Sequence, residues 1–121
     1  MRIAVKGRNT PVTDNVREHV ERRFRAVSNQ VSELAELEVE LSEERNPAIA
    51  DREVAEATLH LKGVTLRARA AAPDMKHAIV CCEEQLARQV KRHREQRRKR
   101  RATRAAQQAA NGLANGGATA A

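Results

Sequence analysis

The chain has 121 residues, a net charge of +7 and one aromatic side chain, Phe24. That length holds one domain, or one domain with a tail, and Val, Leu, Ile and Ala must fill its core, which points to modest stability. A charged leader followed by an apolar run is absent, as is any apolar stretch near 18 residues. A cytoplasmic protein without a membrane partner is therefore expected.

Residues 2–6 alternate, with Ile3 and Val5 on one face, and read as a short strand. Residues 7–10 (GRNT) form a turn, and Pro11 stiffens its exit. Thr13 or Asp14 caps a helix whose apolar face runs through Val16, Val20, Phe24, Val27 and Val31. Asp14 and Glu18 lie near its positive end and Arg22, Arg23 and Arg25 toward its negative end, as the helix dipole favours. The three arginines serve either as that dipole complement or as a second contact patch.

Residues 36–41 alternate strictly: Leu37, Val39 and Leu41 inward, Glu36, Glu38 and Glu40 outward, a half-buried strand. A polar loop broken by Pro47 follows. Alternation resumes over residues 53–61, with Ala55, Ala57, Leu59 and Leu61 inward and Glu56, Thr58 and His60 outward. Lys62 and Gly63 make a two-residue hairpin turn. The returning strand, residues 64–70, turns Val64, Leu66 and Ala68 inward and Thr65, Arg67 and Arg69 outward. Its two arginines either meet Glu56 and neighbouring acids across the hairpin or remain available to a ligand.

Pro73 ends that strand and Asp74 caps the last helix. Met75, Ile79, Cys82, Leu86 and Val90 follow at steps of three and four, one stripe on one face. From His93 to Arg101 the sequence is polar all round. The order β-α-β-β-β-α, with both apolar helix faces available to one side of a four-stranded sheet, predicts an α+β two-layer sandwich. A helix over residues 75–101 is about 40 Å long against about 20 Å for a six-residue strand, so it is expected to overhang the sheet. Residues 102–121 are mainly Ala, Gly, Gln, Asn and Thr without apolar periodicity. They read as a disordered tail or linker, which leaves residues 1–101 as the domain.

Charge is concentrated in one place. Ten of the 23 bases and one of the 16 acids fall within residues 86–104, giving +9 there and −2 for all the rest. A solvated helix face interleaves acids with bases; this segment does not, so a polyanion partner is expected. Without surface aromatics, stacking on bases is not available, and recognition must rest on phosphates and shape. The segment lacks an apolar face, which disfavours a membrane surface.

Catalytic chemistry is not indicated. His19, His60, His77 and His93 fall on different elements, without metal spacing. Cys81 and Cys82 are adjacent, where a disulfide would be strained; Cys82 reads as core and Cys81 as its flank. Ser28, Ser32 and Ser42 lack a Gly-rich elbow, and no phosphate loop occurs. No enzyme activity, small-molecule substrate, metal or cofactor is expected.

Four stretches carry a family likeness by their order and spacing: KGRN (6–9), VTDNVREHVERRF (12–24), ATLHLKG (57–63), and DMKHAI with EQLARQVKRHR (74–94). With them the chain resembles the ribosome hibernation promoting factor family, also called ribosome-associated inhibitor or protein Y, from Ile3 to about Arg98. The resemblance implies a fold like that of double-stranded-RNA-binding domains. It also implies binding to the small (30S) ribosomal subunit at the decoding region, over the A- and P-site tRNA and mRNA positions, and inhibition of translation in stress or stationary phase. Carried onto this sequence, it implies rRNA contacts by Lys76, Arg88, Lys91, Arg92, Arg94 and Arg97. Arg98, Lys99, Arg100 and Arg101 continue the block, and Lys6, Arg8, Arg22, Arg23 and Arg25 are secondary contacts. Long members of the family continue through a linker into a dimerising domain that pairs ribosomes. Residues 107–121 resemble that linker, so the N-terminal part of a long form is expected, with pairing only where such a domain follows. The alternatives, on charge alone, are a general RNA- or DNA-binding protein of the nucleoid or RNA-chaperone kind and a protein-interaction module with a solvated basic helix.

Overall fold

Strict alternation of apolar and charged residues builds the strands, because successive side chains in a strand point to opposite faces. The computed structural model describes residues 1–120, with side chains to residue 112. Its elements are β1 (Arg2–Arg8), α1 (Asp14–Ser28), β2 (Glu36–Glu43), β3 (Glu53–Leu61), β4 (Val64–Ala72) and α2 (Met75–Ala120). The strands lie in the order β1-β2-β3-β4. β1 runs parallel to β2 across α1, and the other two pairings are antiparallel. The fold is α+β, as expected.

Register stacks the apolar residues in rows: Val5, Val39, Ala57 and Ala68 form one, Ile3, Leu37, Leu59 and Leu66 the next. Val20, Phe24 and Val27 of α1 and Ala78, Ile79, Cys82, Leu86 and Val90 of α2 join these rows in a single core. Small alanines on β3 and β4 complement large residues on the helices. The one aromatic, Phe24, is fully buried.

Local chemistry sets the ends of the elements. Thr13 is the N-cap of α1, and its hydroxyl accepts from the Val16 N–H at 3.3 Å. Asp74 caps α2, accepting from the His77 N–H at 2.8 Å. Gly63, at φ 80°, makes the hairpin turn. β1 runs through Gly7 to Arg8, two residues past its expected end, before the chain turns at Asn9 in the left-handed region (φ 62°). A side chain at Gly7 would collide with the Thr10 carbonyl oxygen. Val31, expected on the apolar face of α1, lies beyond the cap at Asn29 and is half-buried. The returning strand extends to Ala72 and buries Ala70 and Ala72 as well as Ala68.

The chain divides into two units, Met1–Val90 and Lys91–Ala121. The first holds the whole core. The second is helical through the stretch that reads as a tail in sequence, since α2 continues to Ala120. Over residues 102–110 intrinsic propensity favours this. They are mostly Ala, Gln and Arg, residues of good helix propensity, whereas the expectation rested on apolar periodicity, which is absent there.

Candidate nucleic-acid interface

The sheet face opposite the core is the first surface to weigh. Glu36, Glu38, Glu40 and Glu56 run down its two central strands, with bases beside them. Arg69 meets Glu56 at 3.4 Å, Arg8 meets Glu40 at 3.9 Å and Arg2 meets Glu36 at 4.0 Å. His60 lies 3.7 Å from Glu38 and pairs with it when protonated. The face carries no Phe, Tyr or Trp, and the imidazole of His60 lies against Glu38. It is a largely self-neutralised surface that offers bases little to stack on and attracts phosphates only weakly. Lys6 and Arg8 belong to it: Lys6 is in register with Glu40, the same carboxylate that Arg8 reaches. Of the two arginines on β4, Arg69 takes the cross-strand pairing and Arg67 stands opposite Thr58.

The helical layer differs. On α1, Arg22 and Arg25 are exposed, and no ion pair among the described residues includes them. Arg23 is committed elsewhere. Its Nε donates to Glu83 Oε2 at 3.2 Å and its Nη2 to Glu84 Oε1 at 3.4 Å, tying α1 to α2. Among the described residues Glu83 is the one buried charged residue, 6% exposed. With His19, Arg22 and Ala26 this pair lines a groove of about 460 Å³ between the two helices. Glu83 is thus a buried acid that the sequence reading did not single out. A signal for it existed: Glu83 stands four residues after Ile79 and three before Leu86, on the apolar stripe itself, with Arg23 next to the buried Phe24.

Lys76 and Arg88 are exposed on the part of α2 that belongs to the first unit. Nearby, Gln89 donates its amide to the Arg67 carbonyl at 2.6 Å and Cys82 its thiol to the Ala68 carbonyl at 3.6 Å, anchoring this part of α2 to β4. Burial pushes the Cys82 thiol up to about 12, so it is an inert core group. Cys81 is half-buried, and both cysteines are free.

The second unit carries the rest of the predicted set. Lys91, Arg92, Arg94, Arg97, Arg98, Lys99, Arg100 and Arg101 are all exposed, as is Arg104. None of the ion pairs among the described residues involves them. At 100° per residue, Lys91, Arg94, Arg97, Arg98, Arg101 and Arg104 share one side of the helix. Glu95, Arg92 and Lys99 lie on the other. Unpaired guanidinium groups at this density suit a phosphate backbone, each offering a planar fork of donors. Among the described residues no cluster of metal-ligating side chains occurs, and no helix is long and apolar enough to cross a membrane.

Comparison with known proteins gives this surface a family. The model of the Sigma 54 modulation protein / S30EA ribosomal protein family matches residues 3–98. The chain belongs to that family. A ribosome hibernation promoting factor of Salmonella typhimurium is 32% identical over 94 residues, covering 78% of this chain and 94% of the relative. One from Acinetobacter guillouiae is 29% identical over 99 residues, covering 78% and 88%. A ribosome hibernation promotion factor of Picosynechococcus is 26% identical over 95 residues and longer; the match covers 49% of it. Among solved structures, the Protein Y N-terminal domain of Thermus thermophilus superposes with a TM-score of 0.65 at 28% identity, covering 77% of this chain and 99% of that one. A ribosomal subunit interface protein from Coxiella burnetii shares the fold at the same TM-score and 17% identity. The resemblance drawn from the four sequence stretches thus holds, for family and for fold.

Proposed function

We propose that this protein is a ribosome-binding hibernation factor of the cytoplasm, acting by binding rather than by catalysis. The observation that carries the reading is the block of exposed, unpaired bases from Lys91 to Arg101 in a chain of this family. The finer part of the proposal is its target: the small subunit at the decoding region, where occupying the A- and P-site tRNA and mRNA positions stops translation under stress or in stationary phase. Lys76, Arg88 and the block from Lys91 to Arg101 would supply the main contacts to rRNA phosphates, with Arg22, Arg25, Lys6 and Arg8 secondary. Arg23, held by two carboxylates, acts in our reading as the strut that sets the α1–α2 groove. Residues 102–121 serve as the tail or linker behind the block, and ribosome pairing is expected only where a dimerising domain follows.

Co-sedimentation through a sucrose gradient tests the target. Saturable binding at about one copy per small subunit is expected, lost when tRNA fills the A and P sites. Phosphate contacts carry no sequence information by themselves, so a general RNA binder is the competing outcome. Equal affinity for bulk RNA and for small subunits would establish it and remove the ribosome reading.

A further inference from the structure

Helix α2 persists through residues 91–104 although its charges oppose it. The described side chains there are exposed apart from the half-buried His93, so no apolar stripe supports this stretch. Like charges three or four residues apart destabilise a helix, and they recur at Arg94–Arg97, Arg94–Arg98, Arg97–Arg101, Arg98–Arg101 and Arg101–Arg104. Glu95 is the sole acid in the stretch, and no ion pair within 4.0 Å among the described residues involves it. Lys and Arg have good helix propensity, but propensity alone leaves isolated helical segments marginal in water.

We propose that residues 91–104 are a polyanion-gated helix: phosphate binding and helix formation in this segment are one linked equilibrium. Resting on the reading of the block as an RNA contact, the proposal adds how that contact is made. A row of phosphates neutralises the repulsion in the helical form, where the bases are held close together, more than in the unwound form, where they spread apart. A ligand that prefers one state shifts the population toward it. In the free protein this helical segment opens readily; on an RNA backbone it is held closed as a rod about 20 Å long. Part of the interaction is consumed in ordering the segment, so the complex is weaker than a preformed helix would give and is readily reversed by salt.

Amide hydrogen exchange on the full chain tests this, using an A-form RNA duplex of arbitrary sequence and, separately, inorganic polyphosphate. Saturation with either is expected to slow exchange across residues 91–104 by about tenfold or more, with little change across residues 75–90 of the same helix. Arg98→Glu places an acid four residues from Arg94 and three from Arg101. It is expected to slow exchange in the free protein and to shrink the further effect of RNA. Exchange in residues 91–104 as slow in the free protein as in the complex would overturn the proposal, as would wild-type exchange in free Arg98→Glu or failure of both polyanions to bind. Neither probe carries ribosomal sequence, so a negative co-sedimentation result leaves this linkage standing. Ribosome binding without a change in exchange removes the linkage alone.

Discussion

Arg22, Arg23 and Arg25 look alike in sequence and do different things in the fold. Arg23 spans two carboxylates, one of them buried, while Arg22 and Arg25 face solvent. Removing Arg23 leaves the buried Glu83 carboxyl group without its hydrogen-bond partner, so Arg23→Ala is expected to cost about 1–3 kcal/mol. Arg22→Ala is expected to change stability by less than about 0.5 kcal/mol. Urea unfolding of the two variants measures the contrast, and equal losses would refute it. Glu53 gives a pH signature. Burial raises its pKa, with Glu43 directly across the strand pair adding to the rise, Arg52 opposing it and Asp74 adding a little. The folded state therefore favours the protonated acid, and stability falls as pH rises through the raised value. Glu53→Gln removes that loss. It is expected to raise the thermal midpoint at neutral pH and to lose its advantage below about pH 4, where the unfolded chain is protonated too. An equal gain at both pH values would show that the effect is not ionisation.

At the scale of elements, pattern and structure agree where burial writes a period into the sequence. Leu37, Val39 and Leu41 alternate because one side of β2 meets the helices, and Ile79, Cys82, Leu86 and Val90 recur because one side of α2 meets the sheet. The elements therefore carried their own signals. Strand order did not, since alternation says which face is buried but not which neighbour is paired. The Arg23–Glu83 tie was hidden because charge in a sequence reads as exposure. The helix beyond Arg101 was hidden because propensity leaves no apolar trace. In the candidate site, the exposure of the second unit's arginines and their lack of ion pairs among the described residues were legible from their lack of acidic neighbours. Replacing Arg92, Arg94, Arg97 and Arg98 together by Gln is accordingly expected to abolish RNA binding while the thermal midpoint hardly moves. A large drop in the midpoint would show that this stretch supports the core.

At the scale of the molecule, core and positive charge are lodged in different parts of the chain. Met1–Val90 contains the core and is close to neutral; the residues from Lys91 onward hold nine bases and one acid. About eight phosphate contacts predict that log affinity falls with log salt at a slope of roughly −6 to −7. A slope shallower than about −3 in a salt titration would mean that fewer than half of these bases touch phosphate. The self-neutralised sheet face has a consequence for kinetics. Because its glutamates and arginines cancel locally, that face exerts little pull at a distance, and the long-range field of the molecule is almost entirely that of the second unit. An encounter with a polyanion therefore begins at the arginines, at a rate that rises as salt is lowered.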